Sequence, residues 1–370
     1  MKTYIFSVIM LLLPLTADAQ KVTLGSAKTK DGGEYSGELV SGKPHGKGRT
    51  IYKNGNLYEG AYEKGKRQGF GIYTFADGER YEGEWFQDQQ HGQGVYFFAN
   101  NNRYDGLWFR AYQHGHGVMY YFNGDKYDGE WKQDKRSGKG LYLFSTGAFY
   151  RGEWLNDKRN GKGLFDWGDG SVYDGEWKDN MRSGKGTFKY ADGDVYIGQW
   201  EDDEMNGRGI YKFQNGDIYE GDYSHGERTG TGIFKYANGD KYSGQFLNGD
   251  KHGQGTFVWS TGDTYVGQWK SDRQNGRGKL SKKNGDTVEG NFLNGQPHGE
   301  CIARFADGSK FKGIFRNGKR NGPAIEEDKD GHRFEGIYAD DVRDGKFVEK
   351  DRNGKITAQG VYTRGHRQVR

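Results

Sequence analysis

The sequence YDGEWKQDKRSGKGLYLFSTGAF, residues 127–149, decides the fold because nearly the whole chain consists of copies of it. Its first residue, Tyr127, recurs every 23 residues in both directions, from Tyr35 to Tyr265, and the same step then lands on residues 288, 311 and 334. Residues 35–356 thus form 14 repeats of 23 residues without insertion or deletion. A fixed period of this length is typical of repeat arrays, in which each repeat contacts chiefly its neighbours.

The alternation of residues within one repeat predicts two β-strands. Numbered from the tyrosine, positions 1 to 5 read Tyr-x-Gly-x-Trp, and positions 12 to 18 read Gly-x-Gly-x-ring-x-ring. Such period-2 alternation is typical of a strand with one apolar face. The polar positions 6 to 11 are predicted to form the loop between the strands. We therefore predict an all-β fold, an elongated single-layer antiparallel β-hairpin array of 14 repeats.

The turn that leads to the next repeat is predicted to contain three residues, at positions 19 to 21. A two-residue turn would send successive rings to opposite faces, whereas three residues with a left-handed residue at position 21 pair position 16 with the next tyrosine. Position 21 is Gly193 in one repeat and Asn101 in another, and Asn tolerates that conformation best after Gly. The predicted register then pairs position 5 with 12, 3 with 14, and 1 with 16.

This register places all the rings on one face of the sheet. Tryptophan at position 5 alternates with Gly, tyrosine at position 1 alternates with a second ring, and a row of Gly lies between them. The Gly row leaves room in which rings can lie flat, so a single sheet can bury its own rings. On the opposite face position 4 meets position 13, as Glu130 meets Lys139, and we expect a solvated surface of ion pairs there.

Composition and the chain ends set the domain organisation. Lys and Arg number 55 against 51 Asp and Glu, a balance that argues against nucleic-acid binding. The apolar run 5–15 and the small residues before Gln20 predict a secretory signal peptide over residues 1–19, cleaved after Ala19, and export to the periplasm or the cell exterior. A transmembrane anchor is the alternative, but about a dozen apolar residues fall short of the ~20 that span a bilayer.

After the signal peptide we predict three segments. Residues 20–34 are an N-terminal lead-in, residues 35–287 are regular repeats, and residues 288–370 are divergent C-terminal repeats and a cap. The single cysteine, Cys301, excludes an intrachain disulfide.

The recurring motif Y-x-G-x-W-x6-G-x-G resembles the MORN (membrane occupation and recognition nexus) repeat, over residues 35 to about 357. The resemblance implies an array of antiparallel hairpins that binds proteins or organises assemblies. Lipid binding has also been proposed for such repeats and is disputed. In some relatives the repeats are joined to a lipid kinase or a lysine methyltransferase domain, but little of this sequence lies outside the repeats.

No candidate constellation for catalysis stands out, so we predict no enzyme and no cofactor. Carboxylates recur in every repeat without a unique pair. Histidines recur at position 11, as His91 and His114 do, but neighbouring repeats would hold them ~10 Å apart by strand spacing. That separation is too large for a shared zinc ion with ligands at about 2 Å, so we predict no metal site.

Two surfaces are candidate binding sites. The first is the ring face with its tryptophans, Trp85, Trp108, Trp131, Trp154, Trp177, Trp200 and Trp269. The second is a basic edge at positions 9 and 10, formed by Lys66, Arg67, Lys135, Arg136, Lys158, Arg159, Arg182 and Arg228. Exposed apolar strips mark interfaces, and basic edges attract anionic partners.

We therefore predict a non-enzymatic repeat scaffold or protein-interaction module, with self-association into a homodimer as one use of the ring face. The alternative is a binder of envelope glycans or anionic lipids, through the aromatic face or the basic edge. The sequence names no individual partner.

Overall fold

The computed structural model describes residues 21–369, so the predicted signal peptide and its cleavage after Ala19 lie outside the described residues. Within that range no helix is long and apolar enough to span a lipid bilayer. The chain divides into two units. Unit 1 comprises residues up to 147 together with 153–157, and unit 2 comprises residues 148–152 together with those from 158 onward.

The strands of unit 1 are β1 (Val22–Lys28), β2 (Glu34–Val40), β3 (Lys43–Ile51), β4 (Leu57–Glu63), β5 (Lys66–Thr74), β6 (Arg80–Phe86), β7 (Gln89–Phe97), β8 (Arg103–Phe109), β9 (Tyr112–Tyr120), β10 (Lys126–Lys132) and β11 (Lys135–Leu143). Strand β12 (Phe149–Leu155) contributes residues to both units. Each strand from β1 to β10 pairs antiparallel with the next one in the chain.

The strands of unit 2 are β13 (Lys158–Asp166), β14 (Val172–Lys178), β15 (Met181–Lys189), β16 (Val195–Glu201), β17 (Glu204–Lys212), β18 (Ile218–Ser224), β19 (Glu227–Lys235), β20 (Lys241–Leu247), β21 (Asp250–Val258), β22 (Thr264–Lys270), β23 (Arg273–Ser281), β24 (Thr287–Leu293), β25 (Gln296–Arg304), β26 (Lys310–Arg316), β27 (Lys319–Glu327), β28 (Arg333–Ala339), β29 (Val342–Arg343), β30 (Gly345–Lys350), β31 (Ile356–Thr363) and β32 (His366–Val369). Sequential antiparallel pairing holds from β13 to β28, and β28 then pairs with both β29 and β30. The predicted all-β array of antiparallel hairpins is confirmed.

The turn between repeats has three residues, as predicted. Where β15 leads to β16, the Tyr190 N–H donates to the Asp194 carbonyl at 2.9 Å, and the Gly193 N–H donates to the Tyr190 carbonyl at 3.0 Å. Gly193 has φ +98°, and Asn101 at the equivalent position has φ +64°. The residues at positions 16 and 1 face each other across this turn, so their rings share one face.

The connection inside a repeat is a two-residue turn, so the predicted polar loop over positions 6 to 11 is wrong. Strand β10 runs to Lys132 and β11 begins at Lys135, which leaves only Gln133 and Asp134, with φ +50° and +65°, in the turn. Positive φ at both residues is typical of the type I′ turns that join hairpins. Positions 9 and 10 are therefore strand residues, which matters for the basic edge.

A bulge changes the predicted register at position 5. In the repeat that begins at Tyr127, Trp131 pairs with Arg136 at position 10 rather than with Gly138 at position 12. The short turn sets position 6 opposite position 9, so the second strand has two extra residues before position 14, and Gly138 absorbs them with φ +68°. Between repeats the predicted register holds, as in the pairing of Gly115 with Trp131.

The side chain at position 4 stabilises this bulge, and the predicted ion pair between Glu130 and Lys139 is wrong. Glu130 Oε1 accepts a hydrogen bond from the backbone N–H of Lys139 at 3.1 Å. Gln199 does the same for Arg208 at 3.0 Å, so the role needs an oxygen rather than a charge. Among residues 21–369, no ion pair joins Glu130 to Lys139.

The core of each repeat is the tyrosine at position 1 lying over Gly. From Tyr58 to Tyr265 these tyrosines are 0% exposed. A Cβ atom on Gly140 would lie 2.4 Å from the Tyr127 hydroxyl, so any larger residue there would displace the tyrosine ring. That hydroxyl donates to the Glu130 carbonyl at 3.0 Å. The prediction that Gly makes room for flat rings is thus confirmed.

The last repeats keep the strand pairing but change the core. Cys301 and Ala324 occupy position 14, where other repeats have Gly, and both are buried. They pack in one cluster with Phe311, Phe334 and Phe347. Position 1 is Val288 in the repeat of Cys301 and Phe311 in that of Ala324, and neither has the tyrosine hydroxyl, which leaves room for the larger residue at position 14.

Candidate binding surfaces

The tryptophans of the predicted ring face lie in the core. The position-5 indoles are only 4% to 7% exposed. Trp131 lies edge-on between two tyrosines, with ring centroids 5.2 Å from Tyr127 and 5.3 Å from Tyr104. Its Nε1–H donates to the Gly117 carbonyl at 3.0 Å, which ties one repeat to the preceding one. The indoles therefore present little surface to a ligand.

Four arginines of the predicted basic edge cover four of these indoles. The Arg136 guanidinium lies 4.4 Å from the Trp154 ring centroid, and Arg182 lies 4.3 Å from Trp200. Cation–π contacts of this kind gain strength when they are partly removed from water. The corresponding distances from Arg67 and Arg159 to the next indole are 4.4 and 4.2 Å, and Arg228 lies 5.2 Å from the Phe234 ring.

Most of these guanidiniums are also paired with an acid of the following repeat. Arg136 Nε lies 3.2 Å from Asp157 Oδ1, and its Nη2 donates to the Asp157 carbonyl at 3.0 Å. In the next repeat the partner is Asn180, whose carbonyl accepts from Arg159 at 2.8 Å. Burial lowers the pKa of Arg159 from its ordinary value. The arginines thus act as links between repeats on the ring face.

The lysines of the predicted basic edge lie outside this packing. Lys66, Lys135 and Lys158 are exposed and begin strands β5, β11 and β13. Lys158 Nζ lies 3.1 Å from Asp179 Oδ1, while Lys66 and Lys135 have no ion pair among residues 21–369. The basic edge is therefore divided, with ammonium groups in solvent and guanidinium groups over the rings.

A second aromatic row, at position 18, is the accessible part of the ring face. We call it the outer ring row: Tyr52, Phe75, Phe98, Tyr121 and Phe144 in unit 1, and Trp167, Tyr190, Phe213, Tyr236 and Trp259 in unit 2. All are half-buried. Tyr190 lies 4.3 Å from Phe188 at position 16 of its own repeat and 5.9 Å from Tyr211 of the next repeat, so ring contacts run on from repeat to repeat.

The sequence analysis did not distinguish the accessible rings of the outer ring row from the buried rings. The available signal was an aromatic residue at position 18 in ten successive repeats, from Tyr52 to Trp259. Strict alternation puts positions 16 and 18 on one face but does not say which of them is covered. The cover comes from the next tryptophan and its arginine, which reach position 16 and stop short of position 18.

Tyrosines at position 16 are anchored to acids at position 22 of the preceding repeat. The Tyr211 hydroxyl donates to Asp194 Oδ2 at 2.7 Å, and Tyr142 donates to Asp125 Oδ2 at 2.8 Å. Burial and then the hydrogen-bonded carboxylate raise the pKa of both tyrosines. Burial alone would raise the pKa of Asp125, but hydrogen bonds from Ser145 and Tyr142 outweigh it and lower that pKa.

On the reverse face of unit 1, histidines at position 11 pack between phenylalanines at position 6. The His91 ring centroid lies 5.5 Å from Phe86 and 5.2 Å from Phe109, and Phe109 lies 5.6 Å from His114. The histidines are thus spacers between rings of neighbouring strands. Nowhere in the described part of the chain do three or more His, Cys, Asp or Glu side chains form a group that could hold a metal ion.

Three solved structures with remote likeness to this chain illustrate the comparison. The TCP domain of SAS-4 (dCPAP) from Drosophila melanogaster, in complex with a proline-rich motif, has 14% identity and TM-score 0.27, covering 46% of this chain and 86% of its own. The TCP10 domain of CPAP from Danio rerio has 12% identity and TM-score 0.24, covering 73% and 100%. Virginiamycin B lyase from Staphylococcus aureus has 10% identity and TM-score 0.13, covering 94% and 90%. These values support no argument about function.

Comparison with the sequences of curated proteins found no match. The family model of the MORN repeat, in contrast, matches 13 consecutive segments, which begin at residues 35, 58, 81, 104, 127, 150, 173, 196, 219, 242, 265, 289 and 311 and end at residue 333. The segment boundaries follow the 23-residue period except at the twelfth segment, which begins at residue 289, and each segment contains one of the hairpins described above. The chain belongs to the MORN-repeat family.

Proposed function

We propose that this protein is a non-enzymatic repeat scaffold that binds a partner protein along the outer ring row. Membership of the MORN family supports a role as a repeat scaffold or binding module. The observation that carries the finer proposal is the run of half-buried rings at position 18, which recurs in both units with one ring per repeat.

The chemistry of the outer ring row suits a protein interface. Aromatic side chains lose few rotamers on binding and supply most of the energetic hot spots of interfaces. The rings of Tyr190, Phe213 and Tyr236 are held in place by the position-16 rings beneath them, so little further ordering is needed when a partner docks. Tyr at several of these positions adds a hydroxyl that a partner's backbone can meet.

Two classes of partner fit this surface, a different protein or a second copy of this chain in a homodimer. The alternative function, binding of anionic lipids or envelope glycans, has less support at the basic edge. Its guanidiniums face indoles and are paired with groups such as Asp157 and Asp203, so their charge is largely satisfied within the chain.

A site-specific cross-linking experiment tests the proposal. A photo-reactive amino acid replaces Phe213 in the outer ring row. In the matched control it replaces the exposed Lys212, whose side chain lies on the opposite face. We expect a discrete cross-linked product only from the variant with the photo-reactive group at residue 213, either with another protein or with a second copy of this chain. The identified partner is then purified and its affinity measured.

Removal of two outer rings should weaken that affinity. We expect Phe213→Ser with Tyr236→Ser to raise the Kd at least tenfold, since truncated aromatic anchors commonly cost about 2 kcal/mol or more. The control pair is Lys212→Ser with Lys235→Ser, which alters the other face of the same strands. Equal cross-linking from residues 212 and 213, or equal affinity of both variants, would contradict the proposal.

A further inference from the structure

A cavity of about 480 Å³ lies in the C-terminal repeats of unit 2, beyond the end of the outer ring row. Phe305, Phe311 and Phe334 line its apolar part, and Phe305 is 42% exposed. At position 16, which carries a ring in most earlier repeats, this region has Glu326, and at position 18 it has Asp328. The cavity exists because carboxylates stand where rings fill the same space elsewhere.

The polar groups of the cavity are held in fixed positions by one another. Glu326 Oε1 accepts hydrogen bonds from Arg320 at 3.0 Å and from the Tyr338 hydroxyl, and its Oε2 accepts from Arg343. The Arg343 guanidinium lies 3.8 Å from the Phe334 ring centroid. Burial, and then the bond to Glu326, raises the pKa of Tyr338 to about 12, so this hydroxyl keeps its proton at neutral pH.

The charges around the cavity balance. Four Asp or Glu and four Lys or Arg line it, together with His332. The acids already have basic partners: Glu349 pairs with Arg367 at 2.6 Å, and Asp328 with His332 at 3.0 Å. A cation or an anion would therefore meet no uncompensated opposite charge. Pockets for apolar ligands are lined mainly by hydrophobic side chains, whereas nine of these 14 lining residues are titratable.

We propose that this cavity binds a neutral saccharide. A sugar offers an apolar C–H face for the exposed ring of Phe305, and hydroxyls that both donate and accept for the fixed carboxylates and cations. Hydrogen bonds to ionised partners are the stronger kind, and the ion pairs keep those partners oriented before the ligand arrives. The volume lies in the range of small-molecule sites, about 300–1,000 Å³.

This inference goes beyond the proposed function and does not depend on it, because the cavity and the outer ring row share no residue. Its test uses the full chain and a panel of neutral oligosaccharides built from glucose, galactose, mannose or N-acetylhexosamine. Oligogalacturonate and chitosan oligomers of the same length serve as anionic and cationic controls. We expect at least one neutral member to bind more tightly than both charged controls. Binding by no neutral member, or tighter binding of a charged one, would overturn the proposal.

Three variants locate the site. Phe305→Ala removes the stacking ring at an exposed position, and we expect at least a tenfold loss of affinity for the neutral oligosaccharide. Asp328→Phe restores the ring found at position 18 in earlier repeats and should abolish binding by filling the cavity. Ile325→Ala is the control, since Ile325 is 43% exposed and adjoins Glu326 on the other face of β27.

Each variant is first checked by circular dichroism for wild-type β-structure. Should Asp328→Phe not fold, Phe305→Ala still decides. Wild-type affinity in Phe305→Ala, or an equal loss in Ile325→Ala, would place the sugar elsewhere and refute the assignment. Wild-type affinity of the Phe213→Ser, Tyr236→Ser chain is expected as well, which separates this site from the proposed protein interface.

Discussion

At the scale of single residues, Gly and tyrosine form one device that recurs in the regular repeats. The Tyr127 hydroxyl occupies the space where Gly140 would carry a Cβ atom, and it uses that closeness to reach the Glu130 carbonyl. A ring that is 0% exposed is thereby buried within one sheet, without a second layer beneath it. The motif Tyr-x-Gly is thus a packing rule as well as a strand pattern.

Adding one methyl group tests this device. We expect Gly140→Ala to lower the free energy of unfolding by about 1–3 kcal/mol, because the ring must shift and core overpacking costs that much. Urea denaturation measures it. The control is Lys139→Ala at the adjacent exposed position, expected to change stability by about 0.5 kcal/mol or less. Unchanged stability of Gly140→Ala would contradict the packing described for Tyr127.

The buried tyrosines also predict an alkaline limit to stability. Burial raises the pKa of Tyr219 and Tyr265 to about 12, from about 10 in the unfolded chain. The folded state favours the neutral ring, so this contribution is fully present below about pH 10 and is lost as pH rises through the folded pKa. We expect the free energy of unfolding to fall steeply from about pH 10 upward.

Denaturation midpoints at increasing pH, with tyrosinate absorbance recorded alongside, measure this loss. The control is Tyr265→Phe, which should reduce the steepness because one titrating group is gone. Phenylalanine occupies the same position naturally at Phe311, so the variant is expected to fold. A pH dependence equal to that of the wild type would refute the assignment of this loss to the position-1 tyrosines.

At the scale of the hairpin, the bulge and the oxygen of the position-4 side chain set how the two strands of a repeat pair. Glu130 supplies the oxygen for the exposed N–H of Lys139, and three repeats later Gln199 supplies an oxygen in the same way for the N–H of Arg208. We expect Glu130→Gln to leave stability unchanged and Glu130→Ala to lower it by about 1 kcal/mol, the net value of such a hydrogen bond. Thermal unfolding of the two variants side by side measures the difference; equal values would mean that the hydrogen bond contributes nothing.

The hairpin also shows where sequence reasoning succeeded and where it did not. The period and the strands followed from the alternation of residues. The three-residue turn followed because it keeps all rings on one face and needs a left-handed residue at position 21, which Asn101 can be. The two-residue turn was missed because a run of polar residues was taken for a loop. Asn248 and Gly249, a pair typical of type I′ turns, carried the missing signal.

The candidate surfaces were less predictable than the fold, for a related physical reason. The bulge turns position 10 to the ring face, so Arg136 lies over Trp154 instead of lining a basic edge. Alternation fixes the face of each residue only where the strand is regular, and it does not say which rings a neighbouring repeat covers. The outer ring row emerges only when the position-5 indoles and their arginines are in place.

At the scale of the whole molecule, a small set of contacts joins neighbouring repeats and recurs within each unit. Strand pairing, the tryptophan hydrogen bond and the arginine link all join residues less than two repeats apart, as with Trp177 and Gly163 or Arg182 and Asp203. Stability is then close to a sum of repeat and nearest-neighbour terms. Folding of such a chain therefore requires that the 23-residue period is kept, whereas the number of repeats can change.

Deletion of one period tests that dependence. Removing residues 196–218 joins position 23 of one repeat to position 1 of the next and preserves every pairing, so we expect a folded chain with cooperative thermal unfolding. The control deletion, 196–206, removes one strand with its turn and puts the following residues out of register. Cooperative unfolding of the chain that lacks residues 196–206 would contradict the dependence on the period. So would non-cooperative unfolding of the chain that lacks residues 196–218.

The buried position-5 indoles have an optical consequence. Each one changes its surroundings when its own repeat or the preceding one opens, so its emission reports on that pair of repeats. Position 5 carries tryptophan in every repeat from Trp85 to Trp200, then Tyr223 and Phe246, and then Trp269. Unfolding that starts at one end therefore reaches the tryptophans in a fixed order. Two successive repeats, those of Tyr223 and Phe246, have no tryptophan at position 5. The order in which tryptophan emission changes during unfolding therefore differs between an opening from the N-terminal repeats and one from the C-terminal repeats.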